Sequence, residues 1–364
     1  MIIKHYYLIN MKRILICSLF ACILLCGCKN EKNIVLGGVI PMTGGSADLG
    51  QSTADAMSLC TDKWNNAGGI NGQKIVLDIN DSQADPKLGI TLTKKIFAMH
   101  KPLLVYTLIS GVTMNVQSIT KQNKTILLAC VGSAELFNND NTYTIRNFVS
   151  PTTVGEGISS YIEESAPNKD LTIFFINNTF GDSYAQQVNL CSKKRGINIR
   201  QVIPYDDGNN FREIIAKAKL GINDIVYIAG VGQSIGIIIK QLRESGFEGV
   251  VLGDPNLQNE SAISYAGDAM KNVFYLDVIR PNTDEFNNFR KKYISKHGAE
   301  PDNFAIMAYA TCDYILNIAA QNNTFDSNEI VKIANDGYTY NSIIGNLSLK
   351  NNEFVFPTKI SSIK

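Results

Sequence analysis

The sequence predicts an α/β protein of two doubly wound, Rossmann-like lobes joined by a multi-strand hinge. Three observations carry that expectation. Strand and helix patterns alternate from Asn33 onward; the alternation pauses over residues 143–151 and then restarts; and the last third holds too little strand to fold alone. Apolar strands separated by helices build a parallel sheet with helices on both faces. At 364 residues the chain also exceeds what one hydrophobic core usually serves.

The first strand, residues 33–40, is almost wholly apolar and stops at Pro41. Ala54, Met57, Leu59 and Trp64 give a helix over 50–67, which Gly68-Gly69 ends. Strands over 74–80, 102–110 and 124–130, with helices over 86–100 and 112–122, complete this unit. Beyond Pro151, helices over 153–165, 181–195, 210–219 and 233–245 alternate with strands over 171–176, 197–203, 224–229 and 250–253. A strand over 273–277 and helices over 283–296 and 302–320 follow, and residues 343–363 read as strands and turns. The expected organisation is therefore lobe 1 at 33–149, lobe 2 at 150–278, a return to lobe 1 at 279–342, and crossover strands at 343–364. Open α/β sheets bind ligands beyond the carboxyl ends of their strands, so two such lobes would close a cleft over a ligand.

The N-terminus reads as an export signal. Lys12 and Arg13 precede an apolar run over 14–25, and Leu25-Cys26-Gly27-Cys28 closes it. A charged region, a short apolar region and small residues make a secretory signal peptide. The run is shorter than the roughly 20 residues needed to span a bilayer. Cys28 after a Leu-x-Gly stretch resembles a bacterial lipobox. That likeness implies cleavage of residues 1–27, a lipid on Cys28, a linker at 28–32 and tethering outside the cytoplasm. Met11 begins a more ordinary signal than Met1, so either is a possible start.

Composition excludes several roles. With 45% apolar residues, 18% charged residues and a net charge of +1, nothing points to nucleic acid. Cys60, Cys130, Cys191 and Cys312 lie far apart without C-x-x-C spacing; three full pairings are open, and free buried thiols are the favoured reading. His100 and His297 have no neighbour at metal-ligand spacing. No nucleophile with a base emerges, so neither an enzyme nor a cofactor is expected.

A set of short motifs then stands in order: Gly38-Val39-Ile40-Pro41-Met42-Thr43-Gly44, Asn66-Ala67-Gly68-Gly69-Ile70-Asn71-Gly72, Asp81-Ser82-Gln83-Ala84-Asp85-Pro86, Phe180-Gly181-Asp182-Ser183-Tyr184-Ala185 and Gly253-Asp254-Pro255. Behind a lipobox, these resemble the type I periplasmic binding proteins, in particular the branched-chain amino-acid (Leu/Ile/Val-binding) branch. The likeness runs from Asn33 to Phe356. It implies the type I periplasmic binding fold, capture of a small solute, usually an amino acid, by a monomer, and delivery to an ABC permease in the membrane.

The resemblance also implies a site. Ser110, after an apolar strand, would hold the ligand carboxylate; a plain helix cap is the alternative. Val131, Gly132 and Ser133 would meet the ligand through backbone and hydroxyl, although Cys130 stands where the family commonly has proline. Asp254 would pair with the ligand ammonium; an Asx turn before Pro255 suits an Asp-Pro pair equally. Phe180 would close over the ligand. Leu49 stands where relatives often carry an aromatic, which leaves the side-chain pocket open. Gly230, Tyr227 and Tyr309 are weaker wall candidates. The stretch Gly230-Val231-Gly232-Gln233-Ser234-Ile235-Gly236 also resembles a dinucleotide loop. A ligand sensor of the same fold, or a remote NAD-binding enzyme, are the alternatives to an importer's receptor.

Overall fold

The structure, a computed structural model, describes residues 33–363 apart from 138–141 and 222–223. The export signal, the linker and Cys28 lie outside the described residues. Two sheets form the scaffold.

The first sheet is built on β1 (Ile34–Ile40), which is buried at every residue and sits between β2 (Ile75–Asp81) and β3 (Leu104–Thr107). Next come β4 (Ile126–Ala129) and β5 (Thr144–Arg146), all parallel. Apolar runs without alternation suit strands covered on both faces. One cover is α1 (Ala47–Asn66), which packs on α10 (Asn303–Gln321). The other is α2 (Pro86–Met99) against α3 (Ser110–Gln122), where Ile96, Val112 and Val116 meet Val39 and Val105. Asp85 starts α2 by accepting from the Lys87 and Leu88 amides, with Pro86 in the first turn. Gly68 and Gly69, at φ of 97° and 77°, turn the chain out of α1.

The second sheet repeats the pattern. β6 (Leu171–Ile176) lies between β7 (Ile199–Tyr205) and β8 (Ile225–Ala229); β9 (Val250–Gly253) and β10 (Val273–Val278) follow, all parallel. Thus β2-β1-β3-β4-β5 and β7-β6-β8-β9-β10 share one order. α4 (Pro151–Ser165) packs on α5 (Thr179–Lys194), and α6 (Arg212–Ala218) and α8 (Glu260–Ala266) pack on α7 (Gln233–Glu244).

The chain passes between the sheets after β5, after β10 and near the C-terminus. After β10, α9 (Asp284–His297) and α10 return to α1. The C-terminal strands divide: the hairpin β11 (Thr339–Ser342) and β12 (Gly345–Lys350) leads to β13 (Glu353–Phe354) beside β5, whereas β14 (Thr358–Ser362) runs antiparallel to β10. Three elements were not legible in the sequence. β5 is three residues long, α8 is a seven-residue helix, and α11 (Ser327–Asn335) starts at an Asp326 cap with only a short apolar stripe.

Cys60, Cys130, Cys191 and Cys312 are free and buried. Among the described residues, no helix is long and apolar enough to cross a membrane, and no His, Cys, Asp and Glu group could hold a metal ion.

Candidate functional site

In each sheet the chain reverses winding after its second-to-edge strand, β1 in the first and β6 in the second. In the first, the crevice opens beyond the ends of β1 and β3; in the second, beyond β6 and β8. The two crevices face each other. Between them lies a cavity of about 480 Å³.

Leu49, Ser110, Val131, Gly132 and Phe180 all line this cavity, so five residues separated by up to 131 positions converge. Cys130 lines it as well. Sequence reasoning missed Phe148 and Phe304, which stack at 5.6 Å and form one wall, and Met114. Nothing in their local patterns marks them; they meet only because α10 returns to the first sheet. Sequence reasoning also missed Asn178, Val231 and Asn256, which line the cavity from the second lobe. Among the described residues, none that lines it is charged. Such a wall accepts an apolar body.

Ser110 is the first residue of α3, and Ile109 holds the cap position. The helix-cap alternative for Ser110 is therefore corrected: the cap position falls one residue earlier, and Ser110 lines the cavity from the first turn of the helix. The free amides at this helix start favour an anion.

Ser133 does not line the cavity. It is fully buried, and its Oγ has no hydrogen-bond partner. Gly132 lies where the lobes touch: a Cβ there would sit 2.1 Å from Tyr184 Cε2 and 2.7 Å from Phe180 Cδ2. Only glycine permits that approach. Tyr184 also donates to the Val149 carbonyl at 2.5 Å.

Asp254 follows β9 and is 1% exposed. Its Oδ1 accepts from the Asn256 amide at 2.8 Å, which is the Asx turn expected of Asp-Pro. The other oxygen, Oδ2, is buried without a partner, as is Tyr227 Oη. Burial pushes the carboxyl up to about 7, against the pull of the Asn256 amide groups. Tyr184, Tyr205 and Tyr227 lie close enough to feel its charge, and no cation among the described residues neighbours it. Asp254 itself does not line the cavity; Asn256, two residues on, does.

Gly230 and Tyr309 stand apart. Gly230 lies at the end of β8, where a Cβ would meet Tyr205 Oη at 2.3 Å. Tyr309 is core on α10, 4.6 Å from Phe289. In the dinucleotide-like loop, Gly232 takes a φ of 63°, and Gly236 lets α7 approach the Ala262 carbonyl, where a Cβ would lie at 2.1 Å.

A profile described as periplasmic binding protein matches residues 33–360. The chain belongs to this family. The binding protein is 24% identical over 322 residues to the Leu/Ile/Val-binding protein homolog 1 of Brucella abortus, covering 87% of this chain and 86% of that one. Among solved structures it resembles the branched-chain amino acid transporter substrate-binding protein LivJ of Streptococcus pneumoniae, in complex with isoleucine, at a TM-score of 0.79 and 18% identity, covering 91% of this chain and 100% of that one. It also resembles an ABC transporter solute-binding protein of Rhodopseudomonas palustris in complex with 3,4-dihydroxybenzoic acid, at a TM-score of 0.81 and 17% identity, covering 92% and 94%. The two solved structures are named as substrate- or solute-binding proteins of transporters, and none of these relatives is an enzyme. The chain is a periplasmic binding protein, of a family that works outside the cytoplasm.

Proposed function

We propose that this protein captures an apolar amino acid in the inter-lobe cleft and delivers it to an ABC importer. The observation that carries the reading is the pairing of an uncharged, largely apolar cavity with a buried carboxyl that has no cation of its own. In this reading the ligand carboxylate meets the start of α3 at Ser110 and the Val131–Ser133 loop. Its ammonium sits at the Asn256 edge of the cavity, and the carboxyl of Asp254, set just behind that lining, turns its unpartnered oxygen to it and recovers the charge that burial opposes. Its side chain packs on Leu49, Phe148, Phe180 and Phe304. The Leu/Ile/Val-binding relatives support the ligand class. Titration calorimetry with L-leucine, L-isoleucine and L-valine tests it; no heat with any of them would end the amino-acid reading.

A second reading has its own support. Phe148, Phe180 and Phe304 border a cavity without lining charge, which also suits an aromatic acid. Asp254 would then stay protonated. Benzoate in the same calorimeter separates the two.

We further propose that the protein is exported and held to the membrane by lipid on Cys28. The motif Leu25-Cys26-Gly27-Cys28 supports this. Metabolic labelling with a fatty acid should mark the protein, and Cys28→Ser should abolish the label.

A further inference from the structure

We propose that Arg146 is a positioning residue for the ligand site: its guanidinium fixes the Val131–Ser133 loop and ties that loop to the strands that lead out of the first lobe. Arg146 is the last residue of β5 and is 2% exposed. All three of its nitrogens are engaged. Nη1 donates to the Val131 carbonyl at 2.9 Å, Nη2 to the Ser133 carbonyl at 3.2 Å, and Nε to Glu353 Oε1 at 3.0 Å. The guanidinium carbon lies 3.8 Å from the ring centre of Phe137, so one face is stacked as well.

The two carbonyls flank Gly132. Val131 and Gly132 line the cavity, and Gly132 is the point where Tyr184 and Phe180 of the second lobe make contact. A loop that must meet both a ligand and the opposite lobe needs a fixed backbone, yet this one follows a short strand and carries no repeating ladder. The planar fork of an arginine spans two carbonyls at once; a lysine ammonium does not.

The third contact gives the arrangement its direction. Arg146 and Glu353 are register partners of β5 and β13. Four residues after Arg146 the chain reaches Ser150, the cap of α4, and from β13 it passes to β14 in the second sheet. The same side chain therefore touches the ligand loop and sits where two passages between the lobes begin. A shift of the loop on closure is carried to both passages through one rigid group.

The role depends on the amino-acid reading only for its last consequence, ligand affinity, so the test has two arms. In the first, amide hydrogen exchange is followed on the full-length protein without ligand. Arg146→Lys should speed exchange in the segment around Val131–Ser133 by about tenfold, the order expected for a lost charge-assisted hydrogen bond. β6, in the other lobe, should keep its wild-type exchange. In the second arm, Arg146→Lys should weaken L-leucine binding by about tenfold, mainly through faster dissociation. Glu353→Gln, which leaves both carbonyl contacts in place, should keep loop exchange near wild type. Should Arg146→Lys fail to fold, Phe137→Leu removes only the stacked face and should shift both readouts the same way.

Unchanged exchange at the loop, or an equal rise in β6, overturns the proposal. So does a loosened loop that binds L-leucine as tightly as wild type. A loosened loop in a protein whose wild type binds no amino acid supports the positioning role and removes the amino-acid reading instead.

Discussion

The two lobes repeat one strand order, but the loops at their carboxyl ends carry different chemistry. On the first lobe, Leu49, Phe148 and Phe304 offer apolar surface, and Ser110 and Gly132 offer backbone at a helix start and a tight turn. On the second, Asp254 and Tyr227 present buried polar atoms without partners, and Asn256 reaches the cavity edge. Shared topology thus fixes where a ligand sits. It leaves each wall free to take one end of that ligand. In the proposed reading, a zwitterion with an apolar side chain would match such a pair of walls, its carboxylate at the helix start of the first and its ammonium toward the unpartnered carboxyl of the second.

The largest effect should come from the polar wall. Asp254→Ala is expected to weaken L-leucine binding by about 2–5 kcal/mol, as truncating one partner of a buried charge pair does. Calorimetry reads this directly, and an unchanged affinity would remove Asp254 from the site.

Gly132→Ala attacks the contact between the walls. Its new methyl would overlap Tyr184 and Phe180 of the opposite lobe. Overpacking of this kind costs about 1–3 kcal/mol. The cost falls on closure, so affinity should drop while the melting temperature of the ligand-free protein stays near wild type. A matching loss in both would place the strain within the fold rather than between the lobes.

The third expectation concerns pH. Burial raises the Asp254 carboxyl to about 7, above its ordinary value of 3.8. Its contribution to ligand-free stability is complete below the unfolded value and is lost as pH rises through the folded one. Affinity for an ammonium runs the other way: it should fall about tenfold per unit as pH drops below 7, because the carboxyl must first lose its proton. Asp302, buried on the first lobe and also raised, shares the stability slope but has no counterpart in the affinity slope. Comparing wild type with Asp254→Asn isolates both. Parallel slopes for stability and affinity would contradict the assignment.

The smallest effect belongs to the apolar wall. Leu49 is 5% exposed. Leu49→Val removes one methylene and should cost L-leucine about 0.8 kcal/mol. A competition series across leucine, isoleucine and phenylalanine should show preference moving toward the larger side chain.

Much of this molecule was legible in its sequence because the fold writes itself locally. Apolar runs, an Asp85-Pro86 helix start and Gly68-Gly69 after a helix mark elements without reference to anything distant. β5 escaped because three residues show no period, and the division of the C-terminus escaped because only pairing with β5 or β10 decides which sheet a short strand joins. The site divided in the same way. Phe180 belongs to one of the short motifs, and Ser110 and Gly132 each follow an apolar strand, a position that the local pattern marks. Phe148 and Phe304 come from positions 156 residues apart and meet only through the return of α10. Arg146 gave no signal, since two of its partners are backbone carbonyls, which any sequence supplies, and the third, Glu353, lies 207 positions away.

The central claim is that the two walls together hold an amino acid. The most direct measurement is thermal melting of the full-length protein, unfolded and refolded to strip retained ligand, against the twenty amino acids and benzoate. A ligand at a hundred times its dissociation constant should add about 2.7 kcal/mol. A clear upward shift is expected with one or more of leucine, isoleucine and valine, and a much smaller one or none in Asp254→Ala. A shift with benzoate alone, or none with any amino acid, would contradict the claim.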